Sequence, residues 1–291
     1  MIIIPVTDSP LRYPGGKTQM KKFVVDILKE NTIHENYVEP FAGGSGVALF
    51  LLFNNYVNRI YINDLDPCIY SFWNSVLNQT TEFIKLIEET PVTLKEWHYQ
   101  RTIQKNPDRF TELEIGFATF FLNRTNVSGI ITGGPLGGKN QQSNYKIDCR
   151  FNKVNLIKKI KRIASFKEMI ELTNHDAEDF ISNEICKLNP ENTLIFFDPP
   201  YYKQGKNLYS NFYDHDDHVS LSEKIKSLTD YFWITTYDSS EEIEKIYSGI
   251  SQKEYSLNYS ANNIRKATEL LFYSDRIALP DSENIYYIEK V

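Results

Sequence analysis

The chain has 291 residues, 41% of them hydrophobic and 24% charged, with a formal net charge of -6, a balance too apolar for a disordered chain. No run reaches the roughly 18 apolar residues that a membrane helix needs, and the acidic charge excludes a protein that coats nucleic acid by bulk charge alone. Three scattered cysteines, Cys68, Cys149 and Cys186, form neither a disulfide framework nor a CxxC zinc pattern, so no structural metal is expected.

The start, Met1-Ile2-Ile3-Ile4-Pro5, lacks the basic flank and apolar length of a signal peptide, which makes the cytoplasm the expected location. The first regular unit is a strand at 37–41 running into Gly43-Gly44-Ser45-Gly46. An apolar helix follows over 47–53, then a strand at 59–62 that ends at Asp64 and Asp66. This is a strand–turn–helix–strand unit of the doubly wound kind. Across 73–162 the alternation disappears. Helical segments such as 111–122 lead into a Gly-rich loop at 133–138 and a basic stretch. From Lys139 to Arg162 the stretch holds eight basic residues against one acid, Asp148. Such a patch suits DNA phosphates as well as it suits a solvated helix face.

Alternation resumes with a strand at 168–172 and a helix at 177–187. The uninterrupted apolar run Thr193–Phe197 fits a central strand buried on both faces. A helix at 216–228, a strand at 231–235, a helix at 240–247 and closing strands at 254–258 and 268–273 complete the pattern. The expected architecture is α/β: a doubly wound, mostly parallel sheet made from 1–72 and 163–291, with a mainly helical insertion at 73–162.

The glycine turn at the end of the first strand lets a ligand approach the backbone, and the next helix offers free N–H groups there. Asp64, twenty positions after Gly44, stands where an acid accepts bonds from ribose hydroxyls. A dinucleotide fingerprint starting at Gly44 wants glycine at position 49, where Leu49 stands. That disfavours NAD and tolerates S-adenosylmethionine, which has no pyrophosphate. A second Gly-rich site, Pro14-Gly15-Gly16-Lys17-Thr18, resembles the end of a P-loop. It has Leu11 where the pattern needs glycine and no strand before it, so a nucleoside triphosphatase is not expected.

Asp198-Pro199-Pro200-Tyr201, directly after the buried strand, carries the most chemistry. An adenine amine is a poor nucleophile because its lone pair is delocalised into the ring. A carboxylate on Asp198 and the carbonyl of Pro199 can accept its two N–H bonds and free that lone pair to attack a sulfonium methyl group. Proline offers only its carbonyl, and the Pro199-Pro200 pair stiffens the loop. Tyr201 supplies an aromatic face on which a base taken out of the duplex can stack.

Together these segments resemble the Dam-like family of N6-adenine DNA methyltransferases. The match runs through Leu11-Arg12-Tyr13-Pro14-Gly15-Gly16-Lys17, then Glu39-Pro40-Phe41-Ala42-Gly43-Gly44-Ser45-Gly46, Asn63-Asp64 and Asp198-Pro199-Pro200-Tyr201, with a weaker segment at Asn123-Arg124-Thr125-Asn126. The resemblance implies a Rossmann-like methyltransferase sheet with an antiparallel terminal strand. It implies S-adenosylmethionine as cofactor, contacted by Tyr13, Lys17, Asp64 and Asp198, with Phe41, Gly43, Gly44 and Asp176 as further cofactor-binding candidates. Target recognition falls in the insertion, where Arg124, Asn126, Lys139, Arg150 and Lys153 are the candidate DNA contacts. Double-stranded DNA is the expected partner and no membrane is. A cognate restriction endonuclease is a companion the resemblance allows, and the expected solution state is a monomer. Most relatives carry tryptophan where Tyr13 stands.

Some residues support more than one reading. Asp214, His215, Asp216, Asp217 and His218 suit a metal site or a helix cap at Asp216. Phe212 can line a pocket for a flipped base, Asp176 can cap a helix, and Arg265-Lys266 can clamp phosphate. Two rival functions use the same motifs: methyl transfer to another amine (cytosine N4, RNA or a protein glutamine), and DNA binding without catalysis. Aspartate rather than serine before Pro-Pro-Tyr favours adenine over cytosine, and the basic insertion favours nucleic acid over protein.

Overall fold

A computed structural model describes residues 7–12, 17–203, 213–257, 268–282 and 285–288. Eight strands among them form one sheet: β1 (Asn36–Glu39), β2 (Arg59–Asn63), β3 (Ile170–Thr173), β4 (Thr193–Phe197), β5 (Phe232–Asp238), β6 (Ser251–Leu257), β7 (Thr268–Tyr273) and β8 (Ile285–Ile288). Their spatial order is β3-β2-β1-β4-β5-β7-β6-β8. The first five in that order run parallel, and β7, β6 and β8 are joined antiparallel. The chain builds outward from β1 to β2 and β3, returns to lay β4 against β1, then continues to β5. The direction of winding therefore reverses between β1 and β4, and a crevice opens at their carboxyl ends.

Why both faces are apolar follows from the two-residue period of a strand. Tyr37, Leu194 and Phe196 join one buried cluster, while their neighbours Val38, Ile195 and Phe197 join another across the sheet. On the first face lie α1 (Lys21–Glu30), α2 (Gly46–Phe53) and α3 (Pro67–Asn78). On the second lie α8 (Ala177–Asn183), α9 (His215–Lys226) and α10 (Glu241–Ile246). Asp66 caps α3 by accepting from Cys68 N at 2.8 Å, with Pro67 in the first turn.

The segment 73–162 supplies α4 (Thr80–Glu89), α5 (Leu94–Lys105), α6 (Glu112–Thr125) and α7 (Lys153–Ala164). Thr111 and Glu114 start α6 with a reciprocal capping box. The segment has no core of its own. Phe83, Phe117, Phe120, Phe121 and Phe151 join Phe72 and Trp73 of α3 in the same cluster as Tyr37 and Ile60 of the sheet. Position 72 lies in the middle of α3, so a change in sequence pattern at that point does not coincide with an element boundary. Helices α3 and α6 pass so closely that a Cβ at Gly116 would meet the Ser71 carbonyl oxygen at 2.4 Å, which reserves that position for glycine.

One local expectation shifts, and one strand was not expected. The helix expected over 177–187 stops at Asn183 and continues as a 3-10 turn, Ile185–Lys187, that keeps Ile185 buried. The short strand β8 carries no alternating pattern of its own and exists because it pairs with β6.

Candidate active site

Past β1 the chain turns sharply. Gly43 has φ 44° and Ser45 φ 43°, both in the left-handed region that Gly43 enters without a side-chain penalty. The turn aims the first N–H groups of α2 into the crevice. Asp64, at the end of β2, accepts from Gly43 N at 2.8 Å and from Asp66 N at 3.0 Å, so both carboxylate oxygens are oriented by backbone. Asn63, half of the Asn63-Asp64 segment, and Trp73, which the sequence did not mark, hold this arrangement. Buried Asn63 donates to the Pro40 and His175 carbonyls and accepts from His175 N and Thr173 Oγ1, tying three strand ends together. Trp73 Nε1 donates to the Gly43 carbonyl at 3.0 Å. The available signal was an asparagine just before the acid at a strand end; nothing local marks Trp73.

A cavity of about 330 Å³ fills the crevice. Lys17, Phe41, Gly43, Gly44, Asp64 and Asp198 all line it, as do Pro200 and Tyr213. The turn at Gly129, Ile130, Ile131 and Thr132 also lines it, so the inserted segment contributes to its wall. Pro199 is buried behind Asp198. Tyr13 and Phe212, like Arg265 and Lys266, lie outside the described residues. Asp176 does not line the cavity: it caps α8 through Glu178 N at 2.8 Å.

Lys17 is the buried cation of the site. Its Nζ lies 2.9 Å from Asp198 Oδ1 and 3.6 Å from Glu269 Oε2, and it donates to the Tyr201 hydroxyl at 2.8 Å. Burial works against its charge, but Asp198 and Glu269 hold Lys17 well above the usual lysine range. Asp198 Oδ1 also accepts from Thr236 Oγ1 at 3.0 Å. Burial raises Asp198, and Lys17 opposes the rise. Tyr201 keeps its ring beside Lys17, 4.8 Å from Nζ to centroid, and donates its hydroxyl to Glu269 Oε1 at 3.2 Å.

Two more carboxyls face the cavity with raised pKa values. Burial lifts Glu39 to about 8, against bonds from Tyr37 and Ala48 N that favour its charge. Asp64 is pushed up to about 7 by burial and by Asp66. The cavity thus combines an apolar lining, backbone donors at a helix start and carboxyls on several sides, a donor set that fits a cationic nucleoside.

The candidate DNA contacts divide. Asn126 is wholly buried: its Oδ1 accepts from Trp97 Nε1 at 2.6 Å and its amide donates to the Ile130 and Ile131 carbonyls. It shapes the turn that walls the cavity and has no surface left for DNA. Arg124 donates to the Arg150 and Pro10 carbonyls, and burial with the nearby Arg12 and Arg150 charges lowers it to about 10. Lys153 caps the end of α4 at the Glu88 and Thr90 carbonyls, both at 2.8 Å. Arg124, Asn126 and Lys153 thus each place donors on backbone carbonyls, and of the three only Asn126 is wholly buried. Lys139 is exposed and Arg150 half-buried. On α7, Lys159 reaches the Thr7 and Ser9 carbonyls, while Lys158 and Lys161 face solvent.

The helix cap expected at Asp216 is Asp214, paired reciprocally with Asp217, and Asp216 is exposed. His218 is buried, bonded to the Tyr237 hydroxyl at 3.1 Å, and lowered by burial to about 4. Among the described residues no group of three His, Cys, Asp or Glu could hold a metal, and no helix is long and apolar enough to cross a membrane.

The model of one protein family, described as D12 class N6 adenine-specific DNA methyltransferase, matches residues 13–262. The chain is also similar to the Type II methyltransferase M.MjaIII of Methanocaldococcus jannaschii, 26% identical over 246 residues that cover 75% of this chain and 79% of that protein. Solved structures give weaker likenesses. The hMettl16 catalytic domain matches at a TM-score of 0.42 and 7% identity, over 90% of this chain and 72% of that one. The rRNA methyltransferase aviRa from Streptomyces viridochromogenes matches at a TM-score of 0.37 and 10% identity, over 88% and 85%.

Proposed function

Because this chain belongs to the D12 class of N6 adenine-specific DNA methyltransferases, we propose that its cavity takes S-adenosylmethionine and an adenine base turned out of double-stranded DNA. The observation that carries this reading is the shared cavity. The Gly43-Gly44 turn, Asp64, Lys17 and Asp198 come from four separate stretches of chain and line the same space at the switch between β1 and β4.

In this reading Asp64 accepts the ribose hydroxyls, the start of α2 and the Gly43-Gly44 backbone lie against the cofactor, and Phe41 packs on it. S-adenosylmethionine supplies an electrophilic methyl group on a cationic sulfur. Asp198 accepts one N–H of the adenine amine and the Pro199 carbonyl the other, which withdraws the nitrogen lone pair from the ring and aims it. Asp198 Oδ1 is engaged by Lys17 and Thr236, so its second oxygen is the acceptor. As positive charge grows on the amine nitrogen, the Asp198 carboxylate stabilises it. Tyr201 offers the base a stacking face. A site of this kind reaches only an extrahelical base, because the amine is paired inside the duplex.

Residues 73–162 form the proposed recognition segment, since their Gly129 to Thr132 turn lines the same cavity as Asp198. Lys139, Arg150, Lys158 and Lys161 are the proposed phosphate contacts. Expression in a host free of DNA methylation, followed by methylation-sensitive sequencing, should reveal N6-methyladenine in one recurring context. Methylation of cytosine only, or none from a folded protein, would overturn the reading.

Asp64→Ala should weaken calorimetric binding of S-adenosylmethionine by ~1.5–3 kcal/mol, the range for hydrogen bonds to a charged group. The same site predicts a pH dependence. Below about 7 Asp64 holds a proton in the free protein, and a ribose donor prefers the ionised form. Affinity should therefore rise from pH 6 to pH 8, by at most about tenfold per unit below that pKa, with a proton released on binding. Asp64→Asn should flatten this profile; a wild-type profile already flat removes Asp64 from the ribose.

Double charge reversal, Lys158→Glu with Lys161→Glu, should weaken binding to all DNA sequences alike and lower the salt slope by about one per residue. A changed recognition sequence at an unchanged slope would mean that this face of α7 reads bases instead.

A further inference from the structure

Glu269 has no part in the chemistry above, yet it sits beside it. Because β7 runs antiparallel to β5, its first residues lie at the carboxyl ends of the parallel strands, with Glu269 in register with Asp238 on one side and Tyr255 on the other. Asp238 accepts from Tyr202 N at 2.9 Å and Lys203 N at 3.1 Å, gripping the backbone just beyond the Asp198 loop. Glu269 grips the same loop through a side chain. Its Oε1 accepts from the Tyr201 hydroxyl at 3.2 Å, its Oε2 accepts from the Tyr255 hydroxyl at 2.5 Å, and Lys17 Nζ stands 3.6 Å away. The Glu269 side chain is only 10% exposed, and a carboxylate withdrawn that far from water is costly unless its acceptor positions are filled. Two hydroxyls and an ammonium fill them.

The charges make the arrangement more than a fastening. An ammonium paired with Asp198 alone would cancel the charge that a developing cation on the amine requires. A second carboxylate on the same ammonium leaves the trio Lys17, Asp198 and Glu269 with an excess of negative charge in a site of low dielectric, where it counts most. We infer that Glu269 is a positioning residue for methyl transfer: it anchors the Tyr201 hydroxyl and shares the Lys17 ammonium with Asp198, so that Asp198 keeps the acceptor strength the amine needs. The inference rests on the proposed reading of Asp198.

The groups facing Asp198 are Lys17 before α1, Tyr37 and Glu39 on β1, Tyr201 in its own loop, Thr236 on β5, Tyr255 on β6 and Glu269 on β7. After burial itself, Lys17 pulls Asp198 down and Glu269 pushes it up. Glu269→Gln keeps the shape and removes the charge, so the Asp198 titration midpoint should move to lower pH. Carboxyl-carbon NMR of the cofactor-free protein reads this directly, without reference to turnover. The single-turnover rate on DNA should fall by about tenfold or more, with its acid limb moving the same way and cofactor affinity little changed. Glu269→Asp keeps the charge but shortens the reach to Tyr201. It should hold the Asp198 midpoint near its wild-type position while losing part of the rate, and it decides the matter if the glutamine variant does not fold. Glutamine and aspartate variants with the same midpoint, or a glutamine variant turning over at the wild-type rate, would overturn the inference. Failure of the underlying reading has a different signature, an Asp198→Ala enzyme that still methylates DNA.

Discussion

Asp198→Ala is expected to leave no detectable methyl transfer. A neutral aryl amine cannot give a proton to a carboxylate before it attacks, so in the proposed reading Asp198 acts by holding the amine and by stabilising the positive charge that appears as the methyl group arrives. Alanine removes both effects. It also removes one of two carboxylates beside the buried Lys17 ammonium, which keeps Glu269 and the Tyr201 hydroxyl as neighbours, so some loss of stability accompanies the loss of activity. Asp198→Asn separates the two consequences. It keeps the size and an oxygen for Thr236 but loses the charge, and the loss should raise the barrier by ~3–4 kcal/mol, by analogy with the removal of an oxyanion donor. Single-turnover methyl transfer at saturating cofactor, with a melting curve for each variant, is the measurement. A folded Asp198→Ala protein retaining more than about a tenth of the wild-type rate, roughly 1.4 kcal/mol of barrier, would remove Asp198 from the chemistry.

Phe120→Ala should cost ~3–5 kcal/mol of folding stability, the usual range for emptying a buried aromatic site. Phe120 is wholly buried on α6, with ring centroids of Phe72 at 6.0 Å, Phe83 at 5.5 Å and Phe151 at 5.4 Å. Those rings belong to α3, to α4 and to the segment before α7, all continuous with the sheet's own cluster. The loss should therefore be felt by the whole molecule. Trp97 reports on the inserted segment and Trp233 on β5, so fluorescence of single-tryptophan variants in denaturant should give coincident transitions, shifted together by the substitution. If Trp97 alone shifted, the insertion would be a domain with its own core.

What was legible in the sequence was local. The glycine turn, the acid after the next strand and the Asp198 loop each sit where a strand ends, and strand ends are marked by neighbouring residues: an apolar run, then glycine, proline or an acid. The order of those units implied a doubly wound sheet; the strand order that reverses between β1 and β4, and the crevice it opens beside Asp198, came with the structure. Which donors remained for DNA was not legible. Arg124, Asn126 and Lys153 carry the right groups for phosphates or bases, but a sequence shows donors without their partners, and in the fold all three meet backbone carbonyls.

By itself, then, the sequence determined the alternation of elements, the two apolar faces of the central strands and the position of the Asp198 loop at a strand end, because each depends on chemistry within a few positions. Only the tertiary structure decided that Trp73 clamps the glycine turn, that the Gly129 to Thr132 turn walls the cavity, and that Glu269 reaches Tyr201 and Lys17. Those contacts join residues far apart in the chain, brought together by the antiparallel return of β7 and by the packing of α6 on α3. No local pattern encodes such a meeting; it follows from which faces the apolar residues must bury together.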